Sequence, residues 1–195
     1  VGNSAVVMSA MPIYEEAKLP LISPYTSAPT LTQQGWKYYL RNWPHDDLQG
    51  PQIVKFAADL GYKKFACISA NSDSGIGMLN GCKSEIKAQG LEVVSEDLVL
   101  SQVDKDFSAI LTNVANSGAD CMLLLPDYTE CGLILKQMKT MGINIPVVTQ
   151  SGTLNVTAFD LAGDAINGVY AVDTWSADAD LPFVKQMLKA FDHRP

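Results

Sequence analysis

From residue 63 to the C-terminus, short apolar runs and helix-patterned segments alternate without a break. KKFACISA (63–70), LEVVSEDLVL (91–100), CMLLLP (121–126), PVVTQS (146–151) and GVYAVDTW (168–175) read as strands. Between and after them, GIGMLNGCKSEIKAQG (75–90), DFSAILTNVANSG (106–118), TECGLILKQMKTMG (129–142), NVTAFDLAGDA (155–165) and DLPFVKQMLKAF (180–191) read as helices. A strand that is apolar throughout is buried on both faces, so helices must cover both sides of its sheet. Strands joined through helices run parallel, with right-handed crossovers. The pattern therefore predicts a doubly wound α/β sheet, with ligands expected beyond the carboxyl ends of the strands.

The first sixty residues follow the same logic less regularly. SAVVMSAMPIYEEAK (4–18) predicts a helix with Ser4 as N-cap and a kink or late start at Pro12. PLISP (20–24) and YYLRNWP (38–44) predict short strands. DLQGPQIVKFAADLG (47–61) predicts a helix with Pro51 near its first turn and Gly61 as its stop.

Charge and cysteine usage remove several classes. A net charge of −7 and a pI near 4.7 disfavour phosphate backbones, so nucleic acid is not an expected partner. No apolar stretch reaches the roughly 20 residues that span a bilayer. The opening VGNSAVVMSAMP has no initiator Met, basic region or cleavage pattern, and both ends read as cut from a longer chain. Cys67, Cys82, Cys121 and Cys131 form no CxxC, and His45 and His193 add no zinc-type spacing. Apolar surroundings predict buried free thiols.

Several motifs carry possible chemistry. Gly75-Ile76-Gly77-Met78-Leu79-Asn80-Gly81 follows a strand and opens a helix, as a dinucleotide fingerprint does, but its spacing is GxGxxxG. There is no G-x-S-x-G elbow, and neither histidine has a sequence partner for nucleophilic catalysis. Asn155-Val156-Thr157 matches a glycosylation sequon and equally a helix cap, and the cap is the expectation. The polar stretch SPYTSAPTLTQQG (23–35) follows a short strand. With Ser4 opening a helix nearby, its hydroxyls and free N–H groups suit a small anion or simple capping and solvation equally well.

The stretch from Ser4 through PIYEEAKLPLISPYTSAPTLTQQG resembles the amino-acid-type solute-binding proteins of ABC transporters, the leucine/isoleucine/valine-binding group of the type I periplasmic-binding fold. In that family a serine opens the helix, IYE closes it and ISP…T.P.LT..G carries the ligand loop. R…DDLQGPQIVKF (41–56), GIGM (75–78), DKDFSAIL (104–111), GAD (118–120), YTECGLILKQMKTMG (128–142) and LAGDAINGVYAV (161–172) continue the match in order. The resemblance implies two doubly wound parallel-sheet lobes with the ligand between them. Residues 1–45 would be part of an incomplete first lobe, 46–174 the second lobe, and 175–195 a return toward the first. The chain would be the middle of a larger protein.

Carried over by position, the resemblance implies ligand contacts at Ser4 (carboxylate), Tyr25, Thr26 and Ser27 (rim loop), Asp46 (lobe crossing), Ser74, Tyr128 (closing aromatic) and Ser151. Amino-acid binders of this kind often place an acid for the ligand ammonium at the end of the strand written here PVVTQS, where Ser151 and Gln150 are neutral. Burying an unpaired ammonium is costly. Either the solute lacks the ammonium, as aromatic and keto acids do, or Asp127 supplies the charge. The implied function is capture of a small carboxylate-bearing solute for a membrane permease, without catalysis and without a cofactor, in the periplasm or on an extracellular lipoprotein anchor. The alternatives are a sensor ectodomain of the same fold and, further off, a nucleotide-dependent α/β enzyme using Gly75 to Gly81.

Overall fold

A computed structural model describes residues 3–150 and 152–191. The first segment contains α1 (Ser4–Glu16), β1 (Leu21–Ser23), a 3-10 turn at Pro29–Thr32 and β2 (Tyr39–Arg41). β1 and β2 pair in parallel, Leu21 opposite Tyr39. Alternation along these strands turns Leu21 and Tyr39 onto Val7, Met11, Ala28 and Leu31, which form a small core. Ile22 and Leu40, paired in register, lie on the other face and are exposed. α1 begins at Ser4 and continues through Pro12. Pro12 is exposed, and the helix runs through it without the N–H that would bond the Met8 carbonyl.

α2 (Asp46–Asp59) then leads into the regular alternation: β3 (Lys64–Ala70), α3 (Asp73–Ala88), β4 (Glu92–Val99), α4 (Ser108–Asn116), β5 (Cys121–Leu125), α5 (Tyr128–Thr140), β6 (Val147–Gln150), α6 (Val156–Ala162), β7 (Tyr170–Val172) and α7 (Pro182–Phe191). The five strands form one parallel sheet in the order β4-β3-β5-β6-β7. Successive side chains of β3 and β5 feed opposite cores. Phe65, Cys67, Cys121 and Leu123 meet Ile53, Met78 and Ile86 from α2 and α3. Ala66, Ile68, Met122 and Leu124 meet Leu111, Ile134 and Ala158 from α4, α5 and α6. Each large apolar side chain buried this way contributes about 1.5–3 kcal/mol. The expected doubly wound sheet is therefore the observed one.

The glycine motif belongs to this packing. A Cβ at Gly81 would sit 2.8 Å from the Asp46 carbonyl oxygen, and one at Gly50 would sit 2.7 Å from the Cys82 nitrogen. Gly75 packs against the Ala70 carbonyl where β3 passes into α3. These glycines let α2 and α3 cross at close range. All four cysteines are free and buried. Burial pushes the thiols of Cys67, Cys121 and Cys131 up to about 12, and that of Cys82 well above its usual value.

Candidate functional site

The strand order reverses between β3 and β5: the connection through α3 places β4 on one side of β3, and β5 takes the other. Such a reversal leaves a crevice above the carboxyl ends of the strands. A cleft of about 580 Å³ opens there, walled on one side by Asn3, Ser4, Tyr25 and Ser27 and on the other by loops that follow the strands of the larger sheet.

The first wall is built by the N-terminus of α1 and the loop after β1. The α1 cap is Asn3, not Ser4 as expected: Asn3 Oδ1 accepts from Ala5 N at 2.9 Å and Val6 N at 3.2 Å. Ser4 instead lies within the first turn, and its Oγ accepts from the Ala28 amide at 3.3 Å, tying the helix to the rim loop. Tyr25 is half exposed and packs on Trp43 with ring centroids 4.9 Å apart. Its hydroxyl lies against Gly152, leaving no room there for a Cβ, so this one side chain reaches the opposite wall. Burial raises the Tyr25 phenol above its ordinary value, and the charges of Asp173 and then Asp127 add to the rise.

Two expected site residues stand behind this wall. The Thr26 side chain was expected on the rim. It is buried, with Oγ1 2.7 Å from both Ser23 Oγ and Tyr39 Oη, because β1 turns it into the small core. Asp46 is 1% exposed at the start of α2, with its amide donating to the Ser27 carbonyl at 3.0 Å. Neither carboxylate oxygen of Asp46 makes a well-formed hydrogen bond, although the Ser27 hydroxyl lies close to the group. Burial pushes this carboxyl up to about 7; the Ser27 hydroxyl and the Arg41 guanidinium oppose the rise, and Asp47 adds to it.

The second wall comes from loops that follow β3, β4, β5 and β6. Ser74 sits in the first turn of α3, whose cap Ser72 accepts from Gly75 N at 3.2 Å. Tyr128 opens α5 and is exposed to the cleft. Gln150 ends β6 and donates from Nε2 to the Leu125 carbonyl at 3.0 Å, and Thr153 donates to the Pro126 carbonyl at 3.4 Å. Ser151 lies outside the described residues; its neighbours Gln150 and Gly152 line the cleft. Asn155 caps α6, accepting from Ala158 N at 3.1 Å, as its sequence context predicted.

The fold thus brings Ser4, Tyr25, Ser27, Ser74 and Tyr128 to one cleft and sets Thr26 and Asp46 behind it. Sequence reasoning missed Trp43, Gln49, Gln102 and Glu130. Gln102 follows β4, so the rule that sites lie at carboxyl ends of strands was its available signal. Glu130 looks like an ordinary acid in the first turn of a helix, where acids are common. Among the described lining residues there are two acids, Asp127 and Glu130, and no Lys, Arg or His. The wall is otherwise hydroxyls, carboxamides and aromatics. Such a set can bind and orient a polar solute, and the described lining residues include no Cys or His. Among the described residues no group of three or more His, Cys, Asp or Glu is placed to hold a metal ion.

The family model described as periplasmic binding protein matches residues 1–194. A leucine-, isoleucine-, valine-, threonine- and alanine-binding protein of Pseudomonas aeruginosa is 29% identical over 189 residues, covering 96% of this chain and 50% of that protein. Among solved structures, a leucine-binding protein from Thermotoga maritima superposes with a TM-score of 0.89 at 25% identity, over 98% of this chain and 55% of that one. A branched-chain amino acid transporter substrate-binding protein from Streptococcus pneumoniae, in complex with isoleucine, gives 0.87 at 26% identity over the same shares. The chain spans about half the length of the curated relatives it matches.

Proposed function

The chain belongs to the periplasmic binding protein family, and from that premise we propose that it forms the central part of an extracytoplasmic solute receptor of an ABC transporter. It captures a small carboxylate-bearing solute and presents it to a membrane permease. The observation that carries this reading is the cleft itself, where Ser4, Tyr25 and Ser27 on one wall face Ser74 and Tyr128 on the other. Residues 1–45 belong to one lobe, 46–174 to the second, and 175–195 lead back toward the first. The relatives named for leucine, isoleucine and valine binding support a branched aliphatic acid as the solute.

The solute carboxylate sits at the N-terminus of α1, where the helix dipole and the Ser4 hydroxyl favour an anion by about 0.3–1 kcal/mol or somewhat more when water is excluded. Tyr128 closes over the solute from the other lobe, and Ser27 and Ser74 complete the polar contacts. Asp46, at the lobe crossing, and Thr26, behind the rim, hold the walls in place. Closure follows because the solute touches both walls only in the closed form.

A thermal-shift panel on the full-length protein tests this, with branched amino acids, branched keto acids and benzoate-type acids. A bound solute at about 100-fold its Kd should stabilise the protein by about 2.7 kcal/mol. A panel in which no small carboxylate raises the melting temperature would refute the reading.

A further inference from the structure

We propose that capture of the solute takes up a proton on Asp46: the closed walls hold its carboxyl as the neutral acid, and parting them admits water and releases the proton. This rests on the solute-capture reading and adds to it a coupling between closure and pH. Asp46 opens α2 beside the crossing between the walls and is 1% exposed. Its floor is fixed, because α2 and α3 cross so closely that a Cβ at Gly81 would sit 2.8 Å from the Asp46 carbonyl oxygen. Its roof comes from the rim loop. The Asp46 amide donates to the Ser27 carbonyl at 3.0 Å, and the Ser27 hydroxyl lies close to the carboxyl. Pro29 closes over the same spot on α3 that the carboxyl reaches: a Cβ at Gly77 would lie 3.0 Å from Pro29 Cδ and 3.1 Å from Asp46 Oδ2.

Neither carboxylate oxygen makes a well-formed hydrogen bond in this enclosure, and the charged groups around it do not compensate. On β2, Arg41 opposes the rise of the carboxyl, but its guanidinium is bonded to the Ala28 carbonyl at 2.8 Å and to Thr32 Oγ1 at 3.3 Å and forms no ion pair with Asp46. At the start of α2, Asp47 adds a like charge, with His45 Nδ1 3.6 Å from its Oδ2. On α3, burial holds the Cys82 thiol well above its usual value, so it adds no charge. Burial of Asp46 therefore prevails and carries its carboxyl up to about 7. An opening that lifts Ser27 and Pro29 off α3 lets water reach the carboxylate and returns it toward its ordinary range. The closed form then holds a proton that the open form releases. Affinity for a solute that closes the walls is greatest in acid, falls as pH rises, and levels off above about pH 7.

The experiment is isothermal titration of the full-length protein with the acid of the thermal-shift panel that raises its melting temperature most, be it leucine, 4-methyl-2-oxopentanoate or benzoate. None of these titrates between about pH 5.5 and about pH 7.5. Across that range binding should weaken about tenfold or more. At about pH 6, titrations in buffers of different ionisation enthalpy should show uptake of about one proton per solute. Asp46→Asn cannot ionise, so its affinity should stay flat to within about twofold, with no uptake. Histidine also titrates in this range, so His45→Gln is the second variant, and it should keep the uptake. Flat affinity in the unmodified protein overturns the inference, as does uptake that survives in Asp46→Asn or vanishes in His45→Gln. If Asp46→Asn fails to fold, the unmodified protein and His45→Gln decide. Binding without proton uptake removes the coupling and leaves solute capture standing, whereas a panel without any binder removes both.

Discussion

Asp46 offers the sharpest test of how the two walls are joined. Its carboxylate is sealed between the rim loop and α3. The backbone N–H is bonded to the Ser27 carbonyl, and Oδ2 would lie 3.1 Å from a Cβ at Gly77. With neither oxygen in a well-formed hydrogen bond, burial outweighs the nearby Ser27 hydroxyl and favours the protonated acid, and the carboxyl rises from its usual 3.8 to about 7. The folded state then holds a proton that the unfolded chain releases near its ordinary value. Stability from this group is complete below about pH 4, falls as pH rises, and is lost above about pH 7. The slope inside that window reaches about 1.4 kcal/mol per pH unit. Between about pH 4.5 and about pH 7.5 the two titration curves leave a difference of about 3 kcal/mol. Asp46→Asn cannot ionise, so it should remove this part of the pH dependence whatever its absolute stability. Urea unfolding of the full-length protein and the variant at those two pH values reads the effect directly. The stability of the variant minus that of the parent should grow by about 3 kcal/mol from the lower to the higher pH. A difference that stays flat to within about 1 kcal/mol would mean that Asp46 is ionised in the folded protein or reaches water, and the burial argument would fail.

Two further outcomes follow from the packing. Gly81→Ala would press a methyl group against the Asp46 carbonyl, which cannot move without shifting α2; overpacking of about 1–3 kcal/mol offsets or exceeds the roughly 1 kcal/mol gained in helix propensity, so urea unfolding should show a net loss of up to about 2 kcal/mol, and a gain would refute the helix-crossing role. The four thiols should be silent to a thiol-labelling reagent at neutral pH in the native protein and all react after unfolding, because they are buried and their pKa values are raised; rapid labelling of the native state would contradict this.

How much of this was legible in the sequence depends on the range of the forces involved. The larger sheet was readable because Phe65 to Ala70 and Cys121 to Leu125 are apolar without interruption, a pattern that only a doubly covered strand tolerates. The α1 cap was misassigned by one residue, since Asn3 and Ser4 are both good caps and only the backbone at Asn3, φ −121° and ψ 129°, decides between them. Thr26 and Ser27 are adjacent and chemically alike. Which one faces the cleft is set by a long-range contact of Thr26 with Tyr39, thirteen residues away, that no local pattern encodes. The same holds for Glu130, whose partner Gln102 lies 28 residues earlier on a different loop. Its place on the cleft wall depends on a meeting of two strand-end loops, and the sequence shows only that each loop exists.

The contacts across the cleft also indicate what the solute must do. Away from the chain crossing, two of the places where the walls meet are the Tyr25 hydroxyl against Gly152 and Pro29 against Gly77. Each contact relies on a glycine, and at Gly152 the backbone also has a φ of +79° that favours one. Glycines supply closeness but little buried area, so these contacts fix the approach of the walls without contributing much free energy to closure. Ser27, Ser74 and Tyr128 line the space between them and are open to a solute that enters. A solute that contacts residues of both walls would join them. On the proposed reading it would supply the differential contact on which closure depends, and a solute that touches one wall only would bind the open form nearly as well as the closed one.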